Sequence, residues 1–504
     1  MTLGEIVGDT ALSAADAART VTGFALDHRK VAPGTIFGAF PGATVNGEDY
    51  IAAAIAAGAV AVVARSGAQV IGVPHLSADE PRRYFARLAA TFFGPFPATT
   101  VAVTGTNGKT STVELTRQLW RLAGHRAASI GTLGVTTADD AVSTGLTTPD
   151  VVTFLGNMGG LAREGLSHVA FEASSHGLAQ YRTEGLPVRA AAFTNLSRDH
   201  LDYHGTMADY FAAKLRLFTD VVEKDGFAII WDDGSQYPAA VISACIERGV
   251  RVIIIRDDAA AAAGHGGATE AVSYQGLARF LILDSRTASA QGQELTIAFD
   301  DARYTVKLPL IGAYQAANAL TAAALVIATG GDPATTFANL ARVQPVRGRL
   351  ERAVIARSGA AVYVDYAHTP DAIEAACLAL RPHVAGRLRL VFGAGGDRDA
   401  GKRPLMGAAA IANADDVIVT DDNPRGEDPV VIRAAIMAQA PGATEIGDRR
   451  AAIRAAIAAS GPGDVVLIAG KGHETGQIIG DRVLPFDDVV VAREVADAIG
   501  REGA

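Results

Sequence analysis

Val101-Ala102-Val103-Thr104-Gly105-Thr106-Asn107-Gly108-Lys109-Thr110-Ser111 is the stretch that decides the fold. An apolar run ends there in a glycine-bearing loop, and the loop leads into a segment with helical periodicity, Thr112–Ala123. The order strand, loop, helix is typical of a phosphate-binding loop, because glycines let backbone N–H groups surround phosphate oxygens and the helix start adds its positive dipole end. We expect Lys109 to reach the β- and γ-phosphates of a nucleotide and the Thr110 hydroxyl to ligate Mg²⁺.

The loop departs from the strict pattern G-x-x-x-x-G-K-[ST], because Val103 stands where the first glycine should be. Gly105 lies two places later, so the loop is a variant. An ordinary glycine-rich turn after a strand is the alternative interpretation. The ending Gly108-Lys109-Thr110 in this context favours the phosphate loop.

The composition is that of a soluble globular protein with several domains. The chain has 504 residues, 49% of them hydrophobic and 20% charged, which predicts about three domains. A net charge of −9 argues against nucleic acid as a partner. Cys245 and Cys377 lie far apart and are expected to behave as small hydrophobic residues. With no signal-peptide pattern and no apolar run of ~20 residues, we expect a monomeric cytoplasmic enzyme without a membrane span.

The fold class predicted is α/β in three domains. Residues 1–94 form a small α/β domain, with helices near Asp49–Ala57 and Ala78–Phe92. Residues 95–335 alternate strands and helices, which indicates a parallel sheet with helices on both faces. Residues 336–504 restart the alternation as a second, Rossmann-like sheet. The predicted elements of the central domain are strands Val101–Thr104, His168–Glu172, Ala190–Thr194 and Phe227–Trp231, and helices Val151–Arg163, Thr206–Val222 and Tyr314–Ala328.

Polar residues follow the predicted strands of the central domain, where ligands collect in parallel sheets. Glu172 ends one strand, and Asp199-His200 follows the next. We expect Glu172 and His200 to end adjacent strands and to hold the Mg²⁺ that Thr110 and the phosphates share. A local hydrogen-bonded pair is the alternative. Lys214 lies on a predicted helix, and from the residues alone a surface lysine is the favoured interpretation, since like charges repel beside a metal.

The strand ends of the last domain are polar as well. Asp365–Pro370 and Asp397–Lys402 mix acids with His or Arg, which suits either a triphosphate with a second polar substrate or solvated loops. Arg425, in Asp422-Asn423-Pro424-Arg425, places a guanidinium on a rigid turn, a good geometry for a planar carboxylate. A dinucleotide site at Gly393-x-Gly395 is disfavoured, because Arg398 replaces the third glycine.

These segments, in this order, resemble the Mur ligases. The matching stretches span nearly the whole chain: Thr104–Thr110, Thr147-Thr148-Pro149, Glu172–His176, Asn195–Tyr203 with Lys214, Arg347-Gly348-Arg349, Asp365–Pro370, Gly395–Pro404, Asp422–Arg425 and Gly470–Glu474. The resemblance implies one domain for UDP, one for ATP and one for an incoming amino acid. It also implies that a carboxylate takes the γ-phosphoryl group of ATP to form an acyl phosphate, which an amine then attacks. Such chemistry rests on positioning and charge neutralisation.

The resemblance assigns site residues by position. For ATP it implies the loop residues Gly105, Thr106, Asn107, Gly108, Lys109, Thr110 and Ser111, an adenine contact at Asn318, and Arg349, Asp365 and His368 from the third domain. For Mg²⁺ it implies Thr110, Glu172, His200 and Lys214, the lysine that is carbamylated in this family. A carbamate is anionic, so this assignment replaces the surface-lysine interpretation, and Lys109, Lys214, His200 and Glu172 are the catalytic set.

The resemblance also assigns two substrate pockets. For a UDP-muramoyl-dipeptide it implies Asp27, Arg29, Thr147, Thr148, Ser175, Gln180 and Arg182. For the amino acid it implies Arg398, Asp422, Asn423, Arg425, Gly470 and Glu474. The Asp-Asn-Pro-Arg turn is similar to that of the branch that adds meso-2,6-diaminopimelate to UDP-N-acetylmuramoyl-L-alanyl-D-glutamate, since Arg425 can pair with a distal carboxylate that lysine lacks.

The chain departs from the family pattern at three places. Asp27-His28-Arg29 stands for the usual Asp-Ser-Arg, Asn46-Gly47-Glu48 for Asp-Gly-His, and Gln315 for an Asn. The alternatives that remain are the same reaction with L-lysine, a related ligase of the folylpolyglutamate or cyanophycin type, and an ATPase that hydrolyses ATP without ligation.

Overall fold

The computed structural model describes residues 1–8, 12–42, 45–138, 140–142, 145–258, 276–289 and 292–502. Within them the chain forms three successive α/β units, each built on its own β-sheet, and a small β-hairpin. The predicted α/β class is therefore confirmed. The domain boundaries at 94/95 and 335/336 stay predictions.

The first unit has a four-stranded parallel sheet in the order β1-β2-β3-β4. Its strands are β1 (Gly23–Ala25), β2 (Thr35–Gly38), β3 (Ala59–Ala64) and β4 (His75–Ser77). Its α-helices are Leu3–Val7, Ala14–Ala17, Ile51–Ala56 and Pro81–Phe93. The last two lie where the sequence predicts helices.

The central unit has an eleven-stranded sheet in the order β15-β14-β13-β12-β11-β10-β5-β9-β6-β7-β8. Its strands are β5 (Thr99–Thr104), β6 (Ala127–Gly131), β7 (Gly134–Thr136), β8 (Ala141–Val142), β9 (His168–Glu172), β10 (Val188–Phe193), β11 (Val222–Asp232), β12 (Arg251–Asp257), β13 (Ala278–Ser289), β14 (Gly292–Phe299) and β15 (Ala302–Leu308). Its main α-helices are Lys109–Leu122, Val151–Arg163, Ser175–Ala179, Leu201–His204, Met207–Arg216, Gln236–Arg248, Ala313–Ala328 and Pro333–Asn339. A π-helix, Leu217–Val221, follows Met207–Arg216.

The central sheet is parallel in its middle and antiparallel at both edges. Strands β13, β14 and β15 pair antiparallel, as do β6, β7 and β8. Short connections such as Asp300-Asp301 between β14 and β15 allow only a hairpin, because a parallel crossover needs a dozen or more residues. The predicted parallel sheet is therefore found in the middle strands, and the antiparallel pairing at the edges was not predicted.

One expectation about strand order was wrong. Glu172 and His200 do not end adjacent strands, because β5 lies between β9 and β10 and pairs with both in parallel. His200 also lies beyond the end of β10, just before the short helix Leu201–His204. The two residues therefore flank the loop that follows β5, one from each side.

Alternation along β5 divides its residues between two hydrophobic cores. Val101 and Val103 pack with residues of helices Lys109–Leu122 and Ala313–Ala328 on one face, and Ala102 packs with residues of helix Val151–Arg163 on the other. The sheet is therefore covered on both sides, as parallel sheets are. Val103, at the position of the missing first glycine, is a core residue, so the loop begins after it.

The third unit has six strands in the order β16-β17-β21-β18-β19-β20, all parallel except β16. They are β16 (Glu351–Ile355), β17 (Ala361–Asp365), β18 (Leu388–Phe392), β19 (Asp416–Val419), β20 (Thr444–Glu445) and β21 (Val465–Ala469), and a hairpin follows, β22 (Gly476–Ile479) with β23 (Arg482–Pro485). The α-helices are Pro370–Leu380, Lys402–Asn413, Pro429–Met437, Arg449–Ala458 and Asp488–Glu502. Among the described residues, no helix has the length and apolarity to cross a membrane.

Candidate active site

The loop after β5 is held in place by glycine geometry and by the end of β10. Gly105 and Gly108 have φ angles of +147° and +89°, a region that favours glycine. A Cβ on Gly105 would collide with Oγ1 of Thr194. Asn195 fixes the loop directly, since its Oδ1 accepts from N–H of Asn107 (2.9 Å) and its Nδ2 donates to the Asn107 carbonyl (3.1 Å). Contacts with the end of β10 therefore hold the loop in this conformation.

Two lysines converge on one carbonyl of this loop. Nζ of Lys109 donates to the carbonyls of Gly105 (3.0 Å) and Thr106 (2.8 Å), and Nζ of Lys214 donates to the Gly105 carbonyl (2.7 Å). Lys214 is only 1% exposed, so it is not a surface lysine. Burial lowers the pKa of both lysines, and the charge of Lys109 lowers that of Lys214 further. Lys214 is therefore more readily neutral, and more nucleophilic, than an ordinary lysine.

Glu172, His200 and Thr110 line the same cavity and supply oxygen and nitrogen donors. Glu172 is buried, and its Oε1 and Oε2 accept from the backbone N–H (2.7 Å) and Oγ1 (3.1 Å) of Thr132. Burial lowers the pKa of His200 to about 3, so its imidazole is neutral near pH 7 and keeps a lone pair.

These side chains fit the predicted Mg²⁺ when substrate phosphates, water or a carbamate supply the remaining ligands. In the described part of the chain, no three His, Cys, Asp or Glu side chains lie close enough to hold a metal. Mg²⁺ is usually bound by one or two carboxylates together with substrate phosphates and water. Glu172 is one such carboxylate, and a carbamate on Lys214 would be an additional anionic ligand.

Arg349, after helix Pro333–Asn339, reaches the phosphate loop from the side of the third unit. Its Nη2 donates to Oγ1 of Thr110 (2.8 Å), and its guanidinium carbon lies 4.3 Å from the ring centre of Tyr366. No ion-pair partner for Arg349 is found among the described residues. Its charge is therefore available to an anionic ligand in the cavity.

Asp365 and His368, at the end of β17, lie on the same side of the cavity. Oδ2 of Asp365 accepts from the backbone N–H of Leu350 (2.6 Å) and from the Tyr314 hydroxyl (3.2 Å). Burial raises the pKa of Asp365. Nδ1 of His368 lies 2.7 Å from the Tyr366 carbonyl, which fixes the ring. Asp365 thus ties the third unit to helix Ala313–Ala328 of the central unit.

One cavity of about 580 Å³ brings the predicted nucleotide and metal residues together. Asn318 and Ser175 also line it, and Oγ of Ser175 is buried without a hydrogen-bond partner among the described residues. The predicted site residues that line the cavity are Thr106, Asn107, Gly108, Lys109, Thr110, Ser111, Thr147, Glu172, Ser175, His200, Lys214, Asn318, Arg349, Asp365 and His368.

Three other residues predicted for the muramoyl-peptide do not line the cavity and are connected by hydrogen bonds. Oγ1 of Thr148 donates to the Glu172 carbonyl (2.7 Å), and Nη1 of Arg182 donates to the Thr148 carbonyl (2.6 Å). Gln180 accepts from Arg182 (2.8 Å) and donates to the Tyr203 hydroxyl (3.0 Å). Thr148 and Glu172 are therefore held in one network.

Asp27 and Arg29 lie in the first unit and do not line the cavity. Nη2 of Arg29 donates to Oδ2 of Asp27 at 2.7 Å. Hydrogen bonds from Arg29 lower the pKa of Asp27 to about 2. His28, which stands for the family's usual serine, stacks on Tyr50 with ring centres 4.2 Å apart.

The residues predicted for the amino acid gather at the strand ends of the third unit. Nδ2 of Asn423 donates to Oε2 of Glu474 (2.7 Å), and Asp422 lies against Gly470. Arg425 has a left-handed φ of 52°, and its Nη1 donates to the Gly396 carbonyl (2.8 Å). Arg425 has no ion-pair partner among the described residues. Arg398 also has none, and its Nη1 donates to the Asp397 carbonyl at 3.2 Å. These two guanidinium groups therefore remain available to carboxylates of a ligand.

Two buried charges join the units, and no role for either was predicted from the sequence. Asp199 and Lys402 lie 203 residues apart in the chain, yet Nζ of Lys402 donates to Oδ1 of Asp199. Asp199 stands next to His200, and Lys402 ends the polar stretch Asp397–Lys402. No local pattern relates two such stretches to each other.

Comparisons with known proteins agree with this architecture. Models of three domains match: the Mur ligase family catalytic domain over 20–91, the Mur ligase middle domain over 103–326, and the Mur ligase glutamate ligase domain over 348–472. The UDP-N-acetylmuramoyl-L-alanyl-D-glutamate–2,6-diaminopimelate ligase of Zymomonas mobilis is 56% identical over 98% of both chains. The ligase of the same name from Caulobacter vibrioides is 46% identical, covering 95% of this chain and 96% of the other.

Solved structures resemble the whole chain. A structure of a UDP-N-acetylmuramoyl-L-alanyl-D-glutamate–2,6-diaminopimelate ligase superposes with a TM-score of 0.69 and 31% identity, covering 99% of both chains. The MurF ligase of Thermotoga maritima, solved with ADP, has a TM-score of 0.63 at 18% identity, covers 96% of this chain and 99% of its own, and shows a shared fold. With the identity to the Zymomonas ligase extending over nearly the full length of both chains, this protein belongs to the Mur ligase family.

Proposed function

We propose that the chain is an ATP-dependent ligase of peptidoglycan-precursor synthesis. It joins an amino group of meso-2,6-diaminopimelate to the terminal carboxylate of UDP-N-acetylmuramoyl-L-alanyl-D-glutamate and releases ADP and phosphate. The observation that carries the proposal is the meeting of a phosphate loop, the half-buried Lys109, the buried Lys214 and a third-unit arginine around one cavity. Relatives named for this reaction match over nearly their full length.

The reaction has two steps. A carboxylate oxygen of the dipeptide bonds to the γ-phosphorus of ATP, and the bond from that phosphorus to the β,γ-bridging oxygen breaks to give ADP and an acyl phosphate. The amine then bonds to the acyl carbon, loses a proton, and phosphate leaves. Two anions must approach in the first step, so positive charge at Lys109 and Arg349 lowers the barrier. The loop's N–H groups hold the phosphates in line.

The residues present fit a bound Mg²⁺. Thr110, Glu172, His200 and a carbamate on Lys214 would hold it, and the ion would neutralise charge on the phosphate oxygens. Lys214 would form the carbamate by adding its neutral amine to CO₂ with loss of a proton. The lowered pKa of Lys214 supports this step, because only the neutral amine is nucleophilic.

The remaining residues bind and orient substrates in this proposal. Asn318 contacts the adenine, and Asp365 and His368 close over ATP from the third unit. Thr147, Thr148, Ser175, Gln180 and Arg182 hold the muramoyl-peptide, and Asp27 and Arg29 contact the uridine diphosphate. Arg398, Asp422, Asn423, Arg425, Gly470 and Glu474 hold the amino acid. A monomer in the cytoplasm, where ATP is supplied, completes the proposal.

The test is phosphate release from ATP and Mg²⁺ with the UDP-linked dipeptide, with meso-diaminopimelate or L-lysine added in parallel. We expect release that needs both the dipeptide and meso-diaminopimelate. Release that needs the dipeptide and L-lysine, and not meso-diaminopimelate, would support an amide ligase and reject the diaminopimelate specificity. Release without any acceptor would indicate an ATPase, and release only with a folate or another acid acceptor would indicate a different ligase of this fold.

A further inference from the structure

Lys471 is a fully buried lysine beside the amino-acid residues, and neither the sequence nor the proposed reaction gives it a role. Its side chain is 0% exposed. Its Nζ donates to the Gly476 carbonyl (2.6 Å), to Oε2 of Glu474 (3.0 Å) and to Oδ1 of Asn423 (3.1 Å). A lysine ammonium has three N–H donors and no acceptor, so these three partners satisfy it completely.

The three partners belong to three different segments. Asn423 lies in the turn after β19, Glu474 lies in the loop after β21, and Gly476 is the first residue of β22. One buried side chain therefore joins the turn, the loop and the hairpin. Asn423 connects the same three segments from the turn, through Glu474 and the Ile478 N–H.

The hairpin in turn holds the arginine of the pocket. The backbone N–H of Arg425 donates to the Ile478 carbonyl (3.1 Å), and the Gly480 N–H donates to the Arg425 carbonyl (2.7 Å). The Ile478 N–H donates to Oδ1 of Asn423 (2.9 Å), the same oxygen that accepts from Lys471. A shift of Lys471 would therefore reach Arg425 through the hairpin as well as through Asn423.

Lys471 also sets which oxygen of Glu474 is free. Oε2 accepts from both Lys471 and Nδ2 of Asn423, whereas Oε1 accepts no hydrogen bond from the described residues. The Lys471 ammonium offsets the charge of the Glu474 carboxylate and holds its Oε2. The other oxygen remains for a ligand's ammonium group, which is the partner that a carboxylate prefers.

We propose that Lys471 is a positioning residue for the incoming amino acid. It holds Oε1 of Glu474 towards an ammonium group of the substrate and holds Arg425 towards a carboxylate, so that a zwitterionic amino acid meets both charges at once. The proposal rests on the proposed function, because it requires that the third unit bind an amino acid.

The experiment compares Lys471→Met with wild type in steady-state kinetics, varying each substrate in turn. Losing a charged hydrogen-bond donor should raise KM for meso-diaminopimelate by about tenfold or more. The KM values for ATP and for the UDP-linked dipeptide should stay within about twofold, because this substitution removes no contact to either. Lys224→Met, the same substitution at an exposed lysine of β11, is the matched control and should leave all three KM values unchanged.

A second variant keeps the test decisive if the methionine variant does not fold. Lys471→Gln retains two N–H donors without the charge. The double variant Lys471→Met with Glu474→Gln, compared with each of its two single variants, tests whether the lysine acts through Glu474. Non-additive effects on KM for meso-diaminopimelate support the proposal. An equal rise in all three KM values or unchanged kinetics would overturn it. Failure of both Lys471→Met and Lys471→Gln to fold would also overturn it. Absence of wild-type turnover with meso-diaminopimelate would instead reject the proposed function.

Discussion

Oδ1 of Asp199 and Nζ of Lys402 lie 3.2 Å apart across the boundary between the central and third units, and both side chains are buried. Oδ2 of the same carboxylate lies 3.4 Å from Nε2 of His200 and 3.6 Å from Nε2 of His368. One carboxylate of the central unit therefore contacts a predicted metal ligand, the ring expected to close over ATP, and a cation of the third unit.

Breaking this pair should weaken the docking of the third unit. Lys402→Met leaves the Asp199 carboxylate buried without its ammonium, which costs about 3–5 kcal/mol for fully buried pairs. We expect a rise in KM for ATP and a more open particle by small-angle X-ray scattering. The double variant Lys402→Met with Asp199→Asn should close the particle again, because no buried charge is left unpaired.

A neighbouring ion pair across the same boundary is the control. Arg198 donates to Asp399 at 3.0 Å, but its side chain is 44% exposed. Arg198→Met should therefore cost at most about 1 kcal/mol. Equal effects of Arg198→Met and Lys402→Met on the scattering profile would contradict the role given to the buried pair.

The phosphate loop should not tolerate a side chain at Gly108. Gly108→Ala places a Cβ against Oδ1 of Asn318 and also forces alanine to a φ of +89°. Gly124→Ala, at the other end of the same helix, has a matching φ of +91° with nothing within 4 Å. Both variants should lose about 1 kcal/mol or more of stability from backbone strain, since the left-handed region disfavours residues with a Cβ.

Nucleotide affinity should separate these two glycine variants. We expect Gly108→Ala to weaken ADP binding in calorimetry, because the contact with Asn318 and the loop must shift, and Gly124→Ala to bind ADP like wild type. Equal weakening in both variants would mean that backbone strain alone explains the loss.

Lys214 should need CO₂ to act. Lys214→Ala should lower the rate by about 10²-fold or more, since it removes a charged group from the reacting phosphates. A short carboxylic acid added to this variant should restore part of the rate by standing in for a carbamate. In wild type, carbon-13-labelled bicarbonate should give a carbamate signal by NMR that Lys214→Ala lacks. A wild-type rate unaffected by removing CO₂, with no such signal, would contradict the carbamate.

Much of the fold is readable from local sequence, and the failures have a physical cause. Strand β9 and helix Val151–Arg163 begin and end where the sequence predicts, because periodicity and turn residues are local signals. The position of β5 between β9 and β10 depends on crossovers, which the alternation of elements does not encode. Of the residues that meet in the cavity, Lys109, Thr110, Glu172 and His200 were predicted from the loop pattern and the strand ends, and most of the others through family resemblance. The roles of Asp199 and Lys471 were missed, since both act through contacts distant in sequence.

Acid should destabilise the protein partly through His168. Burial, and then the neighbouring His125 with ring centres 4.1 Å apart, lower the pKa of His168 from 6.5 to about 4. Between these values the unfolded chain binds a proton that the folded chain does not. The free energy of unfolding therefore rises with pH from about 4 to 6.5 and gains nothing from this group above 6.5.

His168→Phe should flatten this pH dependence. Phenylalanine can keep the edge contact with Trp120, whose ring centre lies 5.0 Å from that of His168. The thermal unfolding midpoint of the variant should rise relative to that of wild type as the pH falls from about 6.5 to about 4. His176, whose pKa burial also lowers to about 4, leaves a residual slope in the variant. A difference between the two proteins that does not change with pH would contradict the assignment.

Arg425 should decide between diaminopimelate and lysine. Its guanidinium is anchored by Nη1 to the Gly396 carbonyl, and no described carboxylate pairs with it. Lysine in the pocket would leave it without an anion, a penalty of about 1–3 kcal/mol, or about 5- to 150-fold in kcat/KM. Arg425→Ala should therefore reduce the preference for meso-diaminopimelate over L-lysine by that factor. Arg482→Ala, at an exposed arginine of β23, removes the same charge nearby and should leave the preference unchanged. A preference that survives in Arg425→Ala would place the discrimination elsewhere in the pocket, with Glu474 and Arg398 the next residues to substitute.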